Sequence, residues 1–352
     1  MKIWINSGRE LSAKLQSDWR QLCSENRSYD SPFFDPAFTL AVAHARPDVK
    51  IAVIEQSGVP TGFFPFQERG RQRGEPVAYG ISDMQGLICS RDLQIDLRRM
   101  LADCGLKNWR YDQLIDGQRH FLRYGWVKEA SPYIDISTGF ERYRIARRRA
   151  GSRLVDQALR KERKLQREQG ELRFEFHDTA ASAFDAMLRW KSAQRRRTHS
   201  RNVLDDAWVR EVLRRLIEVD TENFGGVLST LYVKDELAAV HFGIRTSAVL
   251  HWWFPAYNVK FHRYSPGLVL LTALIRESTA RGIQRIDLGK GQEPYKHSMM
   301  TGITPVAEGG VGYGFIASRC GAVCAKARQG LRHPRLSGQV TSFKRFLRRR
   351  LS

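Results

Sequence analysis

The chain holds 352 residues, 42% of them hydrophobic, with 8 tryptophans and a formal net charge of +21. That length exceeds one small domain and allows two with a substantial core, and the apolar and aromatic content excludes a largely disordered chain. No apolar stretch approaches the roughly 20 residues that span a bilayer, and the opening MKIWINSGREL lacks the apolar centre of a secretion signal, so the cytoplasm is the expected compartment.

Residues 1–140 open on a strand signal, KIWIN. The next segment, ELSAKLQSDWRQLC, repeats Leu11, Leu15, Trp19 and Leu22 at helical spacing, and PAFTLAVAHA supplies a second helix. KIAVIEQ, TGFFPFQ and EPVAYG, punctuated by Gly and Pro, predict a strand meander. DLQIDLRRMLADCG predicts a helix stopped at Gly105, and WRYDQLI a further strand. Residues 141–170 read as a basic helical connector, with Leu154, Val155, Ala158, Leu159 and Leu165 as its apolar stripe and Gly170 as its C-cap.

From 171 the earlier order returns. LRFEFH alternates as a half-buried strand, Asp178 suits the cap of a helix carrying Phe184, Leu188 and Lys191, and DAWVREVLRRLIEV gives a second helix. GVLSTLYV, LAAVHFGI and AVLHWWF form another meander, a helix runs from Pro266 to about Arg281, and IQRIDLG is the next strand. Matched strands recur at a spacing of about 170 to 177 residues, which predicts a duplicated α+β chain. Its two tandem lobes cover 1–140 and 171–315, each a mixed, mostly antiparallel sheet flanked by helices, with a basic tail over 316–352.

The positive charge is local. Residues 140–173 hold 12 basic and 5 acidic side chains, residues 189–201 hold 6 and 0, and residues 316–352 hold 10 and 0, leaving the remainder near neutrality. Such patches either dock anionic partners or are solvated helix faces. In the tail, Val340, Phe343, Phe346 and Leu347 share one side of a helical pattern surrounded by Lys and Arg, which suits either peripheral association with an anionic membrane or a plain basic tail. Cys23, Cys89, Cys104, Cys320 and Cys324 are odd in number and scattered, so free thiols with no disulfide and no metal site are expected.

The segment AYNVKFHRYSPGLVLLTALI carries the strongest chemistry. A helix N-terminus exposes unpaired amides and a partial positive charge, which together attract phosphate. Ser265 suits the N-cap, Pro266 the first helical position, and Gly267 a close backbone approach to a ligand, with Arg263 and Tyr264 upstream as further donors. An ordinary helix start needs the same triplet.

RYSPGLVLL and DLGKGQEPYK, with FDPAFTLAVA and IAVIEQSGVPTGFFPFQ in the first half, resemble the CelD-like group of GNAT-superfamily N-acyltransferases, relatives of the FemAB-type two-lobed transferases. The resemblance spans roughly residues 30 to 313. It implies two GNAT-like lobes, the second of which binds acyl-CoA between splayed strands ending near Phe254 to Tyr257 and at Ile286 to Gly289, with the pyrophosphate cradled by Arg263 to Gly267. The corresponding first-lobe turn, GISDMQGLICSRDL, lacks the Ser-Pro-Gly start, so one donor site is expected.

Acyl transfer to an amine needs a neutral nitrogen, a stabilised oxyanion and a protonated leaving thiolate. By the resemblance, Tyr295 lies where the thiolate-facing acid belongs; a helix-start aromatic is the alternative. Lys296 beside it would bind an anionic group or stand in solvent. On LAAVHFGI, His241 faces away from Val240, Phe242 and Ile244, as a proton relay or a satisfied structural histidine. Asp287 and Glu293 are the acidic candidates for deprotonating an ammonium, and Asp287 could equally anchor backbone amides. Trp190, Lys191 and Arg195 lie where the resemblance places the acceptor pocket, the guanidinium suiting phosphate or carboxylate. The expected activity is therefore acyl-CoA-dependent N-acylation by direct transfer in a ternary complex. The acceptor implied is an amine of a sugar, polysaccharide precursor or envelope metabolite. The alternatives are a FemAB-type enzyme using aminoacyl-tRNA and a non-catalytic anion- or membrane-binding protein on a degenerate fold.

Overall fold

A computed structural model describes residues 1–197, 202–291, 293–313 and 320–327. Strand β1 (Lys2–Ser7) leads to helices α1 (Ala13–Ser24) and α2 (Pro36–Ala45), then to strands β2 (Val49–Gln56) and β3 (Val59–Arg69). Side-chain caps start both helices: Ser12 accepts from the Leu15 N–H, and Asp35 from the Ala37 N–H beside Pro36. Short strands β4 (Arg73–Glu75) and β5 (Ile88–Cys89) precede α3 (Leu97–Asp103), β6 (Asn108–Ile115) and β7 (Gly125–Asp135). Helices α4 (Phe140–Arg149) and α5 (Leu154–Gln169) follow, and α5 ends at Gly170, whose φ of 118° glycine alone tolerates readily.

The second lobe repeats the order with β8 (Leu172–Glu175), α6 (Ala181–Arg197), α7 (Ala207–Ile217), β9 (Gly225–Val233), β10 (Glu236–Arg245) and β11 (Val249–Tyr257). It continues through α8 (Pro266–Ala280), β12 (Arg285–Asp287), α9 (Pro294–Met299) and β13 (Gly302–Val311). This is the expected α+β arrangement of two tandem lobes, but their strands run into one sheet of 13 strands. Its order is β1-β2-β3-β4-β6-β13-β7-β12-β11-β10-β9-β8, with β5 paired to β3.

The sheet is continuous because the lobes exchange their last strands. β7 pairs with β12 through Ile134 and Ile286, β13 pairs with β6 through Val311 and Trp109, and the two pair with each other through Ser131 and Thr304. Withdrawing either lobe would strip backbone partners from the other. Neither exchanged strand is anticipated by the sequence patterning. EPVAYG, expected as a strand, is instead a tight turn in which Ile81 and Ser82 donate back to the Ala78 carbonyl at 2.9 and 3.0 Å.

One face of the sheet carries a core shared by both lobes, in which Trp19, Phe38 and Val42 join Met187, Val212 and Leu216. On the other face α3 covers the first lobe with Leu97, Met100 and Leu101, and α8 covers the second with Leu270 and Leu274. The connector is more than a solvated basic helix, since Val155 and Leu165 of α5 enter the core beneath α8. Among the described residues no helix is long and apolar enough to cross a membrane. Most of the expected basic tail, including its amphipathic stretch, lies outside the described residues.

Candidate active site

The site begins where two strands part. β11 and β12 run parallel for three pairs only, Val249 with Arg285, Leu250 with Ile286 and His251 with Asp287. From Trp252 onward β11 keeps β10 on one edge, up to the Tyr257–Ala239 pair, while β12 diverges. An open strand edge must find other partners for its backbone groups. A cleft of about 620 Å³ opens there, walled by Trp252 to Tyr257, by the start of α8, by α6, by the residues after β12, and by Gly80, Ile81 and Asp83 of the first lobe.

At one end stands the N-terminus of α8. Ser265 occupies the N-cap position with φ 51° and ψ 57°, a left-handed conformation uncommon for a residue with a side chain, and its hydroxyl caps no helix amide. Instead Lys161 of α5 donates to Ser265 Oγ at 2.6 Å. Pro266 is buried in the first turn; Gly267 faces the cleft, its nearest neighbour across it the Tyr257 ring. The helix end thus presents a positive dipole and a lysine.

The middle and far end carry the polar groups. Lys191 is buried against the open edge of β11, its Nζ donating to the Pro255 carbonyl at 3.1 Å. Burial, then the neighbouring Arg195 guanidinium, pull its ammonium down to about 8. Lys296 donates to the carbonyls of Gly289 and Lys290 at 3.2 and 3.3 Å and pairs with Glu293 at 3.3 Å. Burial, then the Glu293 charge, push the Tyr295 phenol far above its ordinary range, so its hydroxyl stays protonated. Phe254 and Tyr257 line the same cleft.

Several expected site residues are committed elsewhere. Tyr264 is 1% exposed, donating to Glu168 at 2.9 Å and accepting from Gln169 at 3.2 Å, and Arg263 lies over its ring and pairs with Glu168, so both turn toward α5 rather than the cleft. His241 does not line the cleft: its ring is fully buried, stacked on Trp252 at 4.1 Å, with Nε2 accepting from the Trp253 N–H. Burial holds that imidazole neutral, well below its ordinary pKa. Asp287 is 1% exposed and bound to Arg285 at 2.8 Å, whose guanidinium also holds Asp30 of the first lobe at 2.6 Å, which makes it a clamp between lobes rather than a base. Trp190 packs into the shared core on the far side of α6.

The structure also brings in residues that the sequence did not single out for the site. Lys161 comes from the connector, Lys290 lies beneath the cleft on Glu129 at 2.6 Å, and Asp83 arrives from the first lobe. The one sequence signal for Asp83 was its place in the first-lobe turn that corresponds to the donor turn.

Residues 152–297 match the Acetyltransferase (GNAT) domain. The match covers the α8 turn, the splayed strands and Tyr295, and begins within the connector that supplies Lys161. A search of the curated proteins finds no match. Among solved structures, the chain is similar to the C-terminal domain of a putative lysylphosphatidylglycerol synthetase from Agrobacterium fabrum, with 11% identity, 91% of this chain and 97% of that one covered, and a TM-score of 0.58. A conserved protein of unknown function from Bacteroides thetaiotaomicron gives 11% identity over 84% of this chain and 97% of that one, with a TM-score of 0.55. FemX gives 8% identity over 74% and 87%, with a TM-score of 0.50. At these identities the likeness is one of fold, and it runs over both lobes.

Proposed function

We propose that the chain is an acyl-CoA-dependent N-acyltransferase working by direct transfer in a ternary complex. The observation that carries this reading is the open edge of β11, which runs from the uncapped N-terminus of α8 to Tyr295. The pyrophosphate of the donor would lie at Ser265, Gly267 and Lys161, where dipole and ammonium favour an anion. Its pantetheine would take the backbone hydrogen bonds that β12 leaves unmade.

The acceptor attacks as a neutral nitrogen, its C–N bond forms as the C–S bond breaks, and the proton shed by the nitrogen ends on the thiolate. Tyr295 is the hydrogen-bond donor to that thiolate. Its raised pKa makes it a stabilising donor throughout the cycle, since a thiol is the stronger acid. Arg195, Lys191 and Lys296 favour an acceptor that also bears a phosphate or carboxylate. Resemblance to the CelD-like group supports an amino sugar, polysaccharide precursor or related envelope metabolite as that acceptor. The enzyme would work in the cytoplasm, with the amphipathic stretch after Val340 holding it at the anionic inner face of the membrane.

The second reading is transfer from aminoacyl-tRNA, favoured by the density of cations on α5 beside the α8 turn and by fold neighbours named for lysylphosphatidylglycerol synthetase and FemX. Thiol release from a panel of acyl-CoAs with pooled amines, run beside charged tRNA, decides between them. Acyl-CoA turnover is expected; transfer from tRNA alone would overturn the acyl-CoA reading.

A further inference from the structure

The first-lobe segment that corresponds to the donor turn leaves its own lobe. It bends through positive φ at Ala78 (56°) and Gly80 (92°), and Trp253 of β11 pins it by donating from Nε1 to the Ile81 carbonyl at 2.9 Å. Gln85 and Gln113 hold the Ser82 carbonyl at 3.3 and 3.2 Å. Asp83 is thereby carried into the wall of the second lobe's cleft.

There its carboxylate is fixed on both oxygens. Gln113 Nε2 donates to Oδ1 at 2.6 Å, and His251 Nε2 donates to Oδ2 at 2.8 Å. Gly289 makes the room, for a Cβ at that position would meet Oδ2 at 2.5 Å on a backbone of φ 70°. Burial pushes the Asp83 carboxyl upward, but the His251 hydrogen bond and charge, with Gln113 and Lys296, outweigh it and leave the group below the usual range. A carboxylate offers about four lone-pair sites, so two bonds leave capacity on the 22% of the side chain still exposed. The other charged groups on the cleft wall are Lys191, Arg195, Lys290, Lys296 and the half-exposed Glu293, with His262 and Tyr295 beside them.

We propose that Asp83 is the docking group for the acceptor's ammonium, so that the first lobe supplies the amine-recognition element of the second lobe's active site. This rests on the amine-acylation reading and names the feature selected: a primary ammonium, set against the lysines and Arg195 of the cleft, which take the acceptor's anionic part. The role is binding. The nitrogen loses its proton to solvent before attack, because a carboxylate is a far weaker base than an amine.

Calorimetry on the full chain saturated with CoA tests the assignment, using glucosamine, galactosamine and ethanolamine as probes, each against its N-acetyl form. In at least one pair the amine should bind at least about ten-fold more tightly than the acetylated compound, Asp83→Asn should abolish that preference, and Asp83→Glu should retain it. CoA affinity, measured separately, should be equal in all three proteins, which also reports that the variants fold. No preference in any pair for the wild type, or a preference kept by Asp83→Asn, would overturn the proposal. CoA binding to none of the three proteins, with equal thermal stability and the ammonium preference lost in Asp83→Asn in titrations run without CoA, would instead remove the donor reading and leave the ammonium site standing.

Discussion

The strand, turn and crossover helix occur once in each lobe, and the two copies have opposite electrostatics. In the second lobe α8 runs for 15 residues, its N-terminal amides carry no side-chain cap, and Lys161 sits on Ser265. In the first lobe α3 runs for 7 residues and is capped by Asp96, whose Oδ1 accepts from the Arg98 and Arg99 amides at 2.8 and 3.2 Å. Those two hydrogen bonds hold the Asp96 carboxyl below its usual range. A fixed carboxylate takes the amides that a phosphate would use and repels a second anion. The acidic cap therefore disfavours an anion at the first lobe's helix, while the turn before it bends into the other lobe with Asp83.

The comparison can be broken most severely at the chemistry of the second lobe. Tyr295→Phe should lower the turnover number by about 100-fold while leaving donor affinity unchanged, read by steady-state thiol release beside calorimetry. A wild-type rate would return Tyr295 to a packing role.

Lys191 gives the next effect. Its ammonium titrates near 8 in the folded chain against 10.5 ordinarily, so between those values the unfolded chain holds the proton and the native chain sheds it. Stability should therefore rise with pH, by about 1 to 2 kcal/mol between roughly pH 8 and 9.5, and Lys191→Met should flatten that rise in denaturant titrations. An unchanged slope would place the charge in solvent.

Ser265→Glu would give the second lobe the kind of cap the first already has. CoA affinity should fall by about ten-fold through charge repulsion at the helix end. Unchanged affinity would remove the turn from the donor site. The smallest effect belongs to Asp96→Ala, which should cost a little thermal stability and leave CoA binding at one equivalent per chain. A second equivalent would show that the acidic cap alone had closed the first site.

The elements built on local periodicity were legible in the sequence. Trp19 and Leu22 on α1, the Ser265-Pro266-Gly267 start of α8 and its stop at Gly282 follow from helical spacing and turn chemistry, and the duplicated order followed from them. The exchanged strands β7 and β13 were not, because Pro132 and Pro305 and the Gly309–Gly310 pair interrupt the alternation that marks a strand; both are stabilised by partners at least 150 residues away. Tertiary packing hid the fate of His241 and Asp287. Alternation assigned each a face of its strand, yet Trp252 covers one and Arg285, shared with Asp30, neutralises the other.

The sequence by itself determined that two similar α+β lobes exist and that one carries a helix start, Ser265-Pro266-Gly267, suited to phosphate. Each of these is a property of neighbours along the chain, where propensity, capping and spacing act. Only the tertiary structure decided that the lobes share one sheet, that Lys161 reaches Ser265, that Arg263 and Tyr264 face α5, and that Asp83 crosses into the partner lobe. Those outcomes depend on where burial and hydrogen-bond satisfaction bring distant segments together, which no local pattern records.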